Sequence, residues 1–211
     1  MRIARIVVVL SWAVTAIALS ACGNHAGSGS GSSILAAGAV AKPAPAMGNS
    51  AVRAHFGSGC SAIPTSGPGS FQGMAAEPVA TAASHNPALS TFYSTIQKAD
   101  LVDTLNNGQG LTVFAPANAA FQQLPQTTLD GILTDGTKLD KTLTYHVVGR
   151  RIGPAELAPG NFDSLEGATV STSGSGVSFT INGYASVVCG NVQTANATVY
   201  IIDSLLIPPG M

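Results

Sequence analysis

The chain has 211 residues and a formal net charge of -1, with 9% charged and 45% hydrophobic residues. No cluster of Lys and Arg stands out, which disfavours nucleic-acid binding because such binding depends on basic side chains that face phosphates. The sequence also has no nucleophile elbow, P-loop, dinucleotide-binding glycine pattern or metal-ligand spacing, so we expect no enzyme, no metal and no cofactor.

The N-terminus has the pattern of an export signal. Arg2 and Arg5 precede an uncharged apolar run, Ile6 to Leu19, which is shorter than the roughly 20 residues that a transmembrane helix needs. The tetrapeptide Leu19-Ser20-Ala21-Cys22 then resembles the lipobox of bacterial lipoproteins. That resemblance implies cleavage before Cys22 and attachment of diacylglycerol to its sulfur. The alternative is ordinary secretion, with Cys22 in an incidental position.

Composition divides the rest of the chain into a tether and a domain. Gly, Ser, Ala and Pro dominate from Gly23 to about Gly57, and a flexible chain of this kind has a root-mean-square span of about 30 to 35 Å. The remainder of the chain is long enough for one domain with its own core. We therefore predict a signal peptide over residues 1–21, a lipidated tether over 22–57 and a domain over 58–211.

Two further cysteines, Cys60 and Cys189, lie in this predicted domain. An even pair in an exported protein favours a disulfide, while two free thiols or half of a metal site are the alternatives. The bridge would close a long loop and contribute about 4 to 5 kcal/mol against unfolding in the chain-entropy model.

The first half of the domain has helical periodicity. Asn86 before Pro87 is typical of a helix start. The apolar residues of the helix then recur at helical spacing and form one buried stripe: Leu89, Phe92, Tyr93 and Ile96. A short apolar strand comes next at Leu111 to Ala115 and stops at Pro116, and Asn118 is suited to cap the next short helix.

Two capping-box spacings come after this strand. Thr127 with Asp130 and Thr137 with Asp140 both precede apolar residues, so each predicts a short helix whose first N–H groups are satisfied by the threonine.

The second half of the domain changes to the alternation of a β-strand. Apolar and polar residues alternate from Val177 to Ile181, and Asn182-Gly183 comes at once after them, which predicts a hairpin. The segment Thr198 to Ile207 is nearly all apolar before Pro208, as expected for a strand covered on both faces. Helices first and strands later indicate an α+β domain.

Three segments in order resemble the fasciclin (FAS1) domain family. Leu111 to Phe121 and Thr198 to Pro209 are similar to its two boxes, and Leu143 to Val148 matches its tyrosine-histidine segment. The resemblance implies a wedge-shaped two-sheet β-sandwich with several short helices packed around it, and a role in adhesion. With the lipobox and the cysteine pair, it is greatest to mycobacterial secreted and lipoprotein fasciclin antigens.

The resemblance also makes Tyr145 and His146 candidate interaction residues, since the matching pair in animal members has been implicated in receptor binding. The residues themselves support a structural alternative. His146 continues the apolar stripe of Leu139 and Leu143, so a buried, hydrogen-bonded imidazole is natural there.

Asp203 interrupts the last apolar segment, and a buried carboxylate needs hydrogen-bond partners. We expect it to brace the local backbone rather than act as a catalytic acid or base.

These observations predict a lipid-anchored protein on the outer face of the cell membrane that contacts an unidentified protein or glycan. The alternative is a carrier that binds a lipid or pigment between the helices and the sheets.

Overall fold

The computed structural model describes residues 54–211. The predicted signal peptide, Cys22 and nearly all of the predicted tether lie outside the described residues. No helix within residues 54–211 has the length and apolar character needed to cross a membrane.

The described helices lie mainly in the first half of the domain. They are α1 (Phe71–Ala75), α2 (Val79–His85), α3 (Ser90–Lys98), α4 (Val102–Asn107), α5 (Asn118–Gln122), α6 (Gln126–Thr134), α7 (Gly136–Tyr145) and α8 (Pro154–Leu157). Short 3-10 turns at Ser58–Ala62 and Pro87–Leu89 precede α1 and α3.

The strands form one hydrogen-bonded series. They are β1 (Leu111–Pro116), β2 (Val147–Val148), β3 (Gly160–Asp163), β4 (Thr169–Ser175), β5 (Ser178–Ile181), β6 (Ala185–Gln193) and β7 (Ala197–Ile202). Their spatial order is β2-β1-β7-β6-β5-β4-β3. β6 pairs with β5 in one half of the series and with β7 in the other, and a bridge between Val148 and Ser164 nearly closes it. The α+β prediction, with two sheet halves and surrounding helices, is confirmed.

β7 separates two apolar cores, which explains its unbroken hydrophobic sequence. Val199 and Ile201 face the core shared with the helices, whereas Tyr200 and Ile202 face the core between the two sheet halves. All six residues of β7 are buried. The strand ends at Ile202, earlier than the predicted Ile207.

Asn86 caps the 3-10 turn Pro87–Leu89 that leads directly into α3, and the predicted hairpin is confirmed. Asn86 accepts a hydrogen bond from the N–H of Ala88, and Phe92 and Ile96 are buried on the inner face of α3. Asn182 and Gly183 both have positive φ angles, 52° and 75°, as the tight turn between β5 and β6 requires.

Three predicted helix caps are wrong, although the helices exist. Asp135 rather than Thr137 caps α7, because its carboxylate accepts hydrogen bonds from two N–H groups of the first turn. Thr127 lies inside α6, which begins after Pro125 without a side-chain cap. Asn118 does not cap its own helix. Its side-chain oxygen accepts from the N–H of Thr91, at 3.0 Å, and so caps α3.

The segment before α1 is bonded to β6. The predicted tether ends at Gly57, but the N–H and C=O groups of Phe56 already pair with those of Gly190, at 3.1 and 2.7 Å. A Cβ atom at Gly190 would overlap the ring of Phe56, so the close approach requires glycine. Cys60 and Cys189 form the predicted disulfide, with a sequence separation of 129 residues.

Candidate functional site

Tyr145 and His146 lie where α7 ends and the chain turns into β2. Tyr145 is the last residue of α7, and His146 takes the capping position after it. Leu139 and Leu143 place the helix on the core shared with the other helices. Tyr145 packs in the other core, between the two sheet halves. Both candidate side chains are buried, with exposed fractions of 3% for Tyr145 and 0% for His146.

The imidazole of His146 has a partner at each nitrogen. Its Nε2 accepts a hydrogen bond of 3.0 Å from the N–H of Leu206, so the proton must reside on Nδ1. Nδ1 donates to the carbonyl oxygen of Thr142 at 2.7 Å. Burial lowers the pKa of His146 to about 4, partly opposed by the Thr142 bond. The ring is therefore neutral at ordinary pH and joins α7 to the segment after β7.

The hydroxyl of Tyr145 joins two surface turns. It donates to the carbonyl oxygen of Thr169, at 3.1 Å, and accepts from the side-chain amide of Asn182, at 2.8 Å. Burial raises the pKa of Tyr145, and the Asn182 bond opposes that rise. The hydroxyl therefore stays protonated and holds the start of β4 next to the β5–β6 turn.

These contacts favour the structural interpretation of the pair over a direct contact with a partner. Sequence reasoning identified the two residues but not the groups that hold them. Leu206 lies 60 positions from His146 and Asn182 lies 37 positions from Tyr145, so no local pattern could have indicated them.

Asp203 has the bracing role predicted for it. Its carboxylate accepts hydrogen bonds from the N–H of Ser186, at 2.8 Å, and from the hydroxyl of Ser204, at 3.0 Å. Its own N–H donates to the carbonyl oxygen of Ser186. These bonds join the end of β7 to β6.

The adjacent Arg150 and Arg151 are directed to different places, which sequence reasoning missed. The guanidinium of Arg150 lies 4.8 Å from the ring centre of Phe162. Arg151 instead donates from Nη1 to the side-chain oxygen of Gln193, at 3.0 Å. In the sequence they are only a basic pair after a strand, a pattern that predicts a solvated loop.

The described residues provide little that supports catalysis. His85 forms an exposed pair with Glu77 at 2.8 Å, and no three His, Cys, Asp or Glu side chains within residues 54–211 are grouped to hold a metal ion. Every buried side-chain nitrogen and oxygen in this range has a hydrogen-bond partner.

The interface between helices and sheet is densely packed, although a carrier would need a ligand-sized cavity there. An apolar cavity beside Met74, Leu89, Phe92 and Val199 measures about 10 Å³. A second, beside Phe121 and Leu143, is of the same size. Sites for small molecules usually measure about 300 to 1,000 Å³, so neither cavity accommodates a lipid or a pigment.

The fold and the three sequence segments define a fasciclin domain. The family model described as Fasciclin domain matches residues 87–208, and the chain belongs to this family. One solved structure, a FAS1 domain pair from the insect cell adhesion molecule Fasciclin I, superposes with a TM-score of 0.52 at 18% identity. The match covers 64% of this chain and 52% of that chain, so the present chain spans about half of the pair, and the likeness concerns the fold.

Two mycobacterial proteins are similar over most of the chain. Immunogenic protein MPB70 of Mycobacterium bovis is 48% identical over 180 residues, which cover 83% of this chain and 91% of that protein. Cell surface glycolipoprotein MPB83 of the same species is 47% identical over 162 residues, or 73% of this chain and 72% of the relative.

Proposed function

We propose that this protein is an exported lipoprotein whose fasciclin domain makes protein or glycan contacts at the cell surface. The observation that carries the proposal is the 47% identity over 162 residues to a cell surface glycolipoprotein. The lipobox-like sequence ending at Cys22 supplies an anchor of the kind such a protein needs.

In this proposal the lipid anchor holds the protein at the membrane, and the tether lets the domain extend away from it. One acyl chain holds a protein only marginally, whereas two or three give stable retention. A diacylglycerol on Cys22 would therefore keep the chain on the outer face of the membrane. The Gly/Ser/Ala/Pro-rich residues after it would let the domain reach other molecules of the envelope or of a host cell.

The architecture of the domain supports contact rather than catalysis. The disulfide between Cys60 and Cys189 fixes the domain's N-terminal segment on β6, and within residues 54–211 buried polar side chains are fully partnered. We propose that Tyr145 and His146 maintain the structure of the domain and do not themselves determine binding. Tyr145 holds two surface turns, near Thr169 and Asn182, in one arrangement.

Replacement of Cys22 tests the anchor. In the native host, we expect Cys22→Ala to move the protein from the membrane fraction to the soluble or secreted fraction. The matched control is Ser28→Ala, a substitution of similar size in the predicted tether that leaves Cys22 and the disulfide unchanged. Mass spectrometry of the parent should also show a mature N-terminus at Cys22 with attached acyl chains.

The anchor proposal fails if Cys22→Ala pellets with membranes in the same amount as the parent. The contact proposal is tested separately, by incubating the purified full chain with isolated envelope material and with host-cell surfaces. Saturable binding to either supports it, and absence of binding to both contradicts it.

A further inference from the structure

An open polar groove lies on the side of the domain where the described chain begins. It measures about 340 Å³ and is lined by Arg151, Pro154, Glu156, Asn191, Gln193 and Thr198. Asn191 and Thr198 are buried, at 3% and 1% exposure, and form its floor. The side-chain amide of Asn191 also donates to the carbonyl oxygen of Ala54.

The loop that carries Arg151 is held from the buried side. The hydroxyl of Thr112 donates to the carbonyl oxygen of Arg150, at 2.7 Å, and accepts from the N–H of Ile152, at 2.8 Å. The hydroxyl of Tyr200 donates to the carbonyl oxygen of Ile152, at 2.9 Å. Because both neighbours of Arg151 are fixed, its side chain projects into the groove from a rigid support.

The polar groups of the groove form one oriented network. Arg151 donates to the side-chain oxygen of Gln193, at 3.0 Å. The amide of Gln193 then donates to the side-chain oxygen of Asn191, at 2.7 Å, and lies 3.4 Å from the hydroxyl of Thr198. Glu156, which also lines the groove, accepts from the N–H of Gly153, at 3.4 Å. Planar groups of this kind present both donors and acceptors at fixed positions.

The backbone of β6 is distorted where it forms the floor. The pairing of β6 with β7 shifts register between Cys189 and Val192, and Asn191 has a φ angle of 60°. Bulges re-aim side chains and are frequent beside functional sites, and a non-glycine residue in the left-handed region persists only where its surroundings hold it. Here the disulfide at Cys189 and the bridge of Gly190 to Phe56 provide that hold.

The composition of the groove selects one class of ligand. One guanidinium and one carboxylate leave it without net charge, which disfavours anions and cations alike. A wholly apolar ligand is also disfavoured, because it would cover the exposed guanidinium of Arg151 and the exposed carboxylate of Glu156 without bonding to them. Vicinal hydroxyl groups both donate and accept, and the ring of Pro154 offers an apolar surface beside them.

We propose that this groove binds a neutral saccharide, as a terminal or internal part of a surface glycan. The inference rests on the proposed function for its setting at the cell surface, and it identifies the glycan contact of that function.

The test uses the ¹⁵N-labelled full chain carrying Cys22→Ser, so that no lipid is attached. The probes are the neutral trimers maltotriose, mannotriose and galactotriose, which differ in hydroxyl configuration. The acidic probe is trigalacturonic acid. We expect at least one neutral trimer to shift the signals of Gly153, Asn191 and Gln193 saturably, and trigalacturonic acid to bind more weakly than that trimer.

The neighbouring arginines provide a matched pair of variants. Arg151→Ala should weaken binding of the saccharide about tenfold, because it removes a charged donor from the site. Arg150→Ala removes the same charge outside the groove and should change the affinity less than about twofold.

The proposal is overturned if no neutral trimer shifts the groove signals, if trigalacturonic acid binds as tightly as the best neutral trimer, or if the two arginine variants bind alike. These outcomes are separate from those of the membrane fractionation. Loss of anchoring would contradict the proposed function and leave the saccharide titration intact, whereas an unresponsive groove would leave the anchor intact.

Discussion

His146 and Arg151 lie only five positions apart, yet their surroundings differ in every respect. The imidazole of His146 is fully buried and bonded at both nitrogens to backbone groups. The side chain of Arg151 projects from a rigid loop into an open groove, where it bonds to Gln193. Tyr145 and His146, which lie in a segment that identifies the family, thus maintain the fold, whereas the residues that line the groove lie outside the three family segments, apart from Thr198.

Removal of the disulfide, which lies beside the groove, should cause the largest loss of stability. In Cys60→Ala/Cys189→Ala we expect the free energy of unfolding to fall by about 4 to 5 kcal/mol, since the bridge no longer restricts the unfolded chain. Urea denaturation measures the fall, with Cys22→Ala as the control of unchanged stability. NMR should show broadened signals for Gln193 and unchanged signals for the His146 ring. Equal broadening at both places would contradict the separation of the two regions.

Removal of the buried imidazole should have the next largest effect. His146→Ala leaves the N–H of Leu206 and the carbonyl of Thr142 without partners and opens a cavity, so we expect a loss of about 3 to 4 kcal/mol. His85→Ala removes an exposed histidine paired with Glu77 and should cost less than about 1 kcal/mol. Urea denaturation of both variants checks the prediction, and similar losses in the two would contradict it.

The lowered pKa of His146 predicts a pH dependence of stability. The folded state takes up the proton only near pH 4, whereas an unfolded chain takes it up near pH 6.5. Stability from this residue is therefore complete above pH 6.5 and falls by up to about 3 kcal/mol as the pH decreases to about 4. The difference between the parent and His146→Gln across this window isolates the effect. A pH-independent difference would show that the imidazole does not titrate as described.

Removal of the Tyr145 hydroxyl should have the smallest effect. Tyr145→Phe keeps the buried ring and deprives Asn182 and Thr169 of their partner, so we expect a loss of about 1 to 1.5 kcal/mol. Tyr184→Phe is the matched control, because Tyr184 is half exposed and its hydroxyl makes longer bonds. Thermal denaturation compares the two. A larger loss in Tyr184→Phe would contradict the role assigned to Tyr145.

Local patterns in the sequence predicted much of this fold. Helical spacing placed Phe92 and Ile96 in the core, and the Asn182-Gly183 pair predicted the hairpin. The wrong caps have two causes. Asp135 bonds to N–H groups only two and three residues after it and competes locally with Thr137, and a sequence spacing cannot rank the two side chains. Asn118 bonds instead to Thr91, 27 positions away, which no local pattern indicates. β7 ends at Ile202, next to Asp203, whose carboxylate accepts from the N–H of Ser186.

The candidate site was less predictable than the fold. The burial of His146 followed from the stripe of Leu139 and Leu143 in the sequence, but its partner Leu206 did not. The groove joins Arg151 to Gln193 across 42 positions, and the bulge that forms its floor begins at Cys189, which is bonded to the distant Cys60. Such arrangements arise only when distant strands pair.

The most direct test of the account is binding of the full chain to isolated envelope glycan, measured for Tyr145→Phe and Arg151→Ala side by side. We predict that Tyr145→Phe binds within about twofold of the parent and that Arg151→Ala loses about tenfold in affinity. Loss of binding in Tyr145→Phe together with full binding in Arg151→Ala would contradict the account.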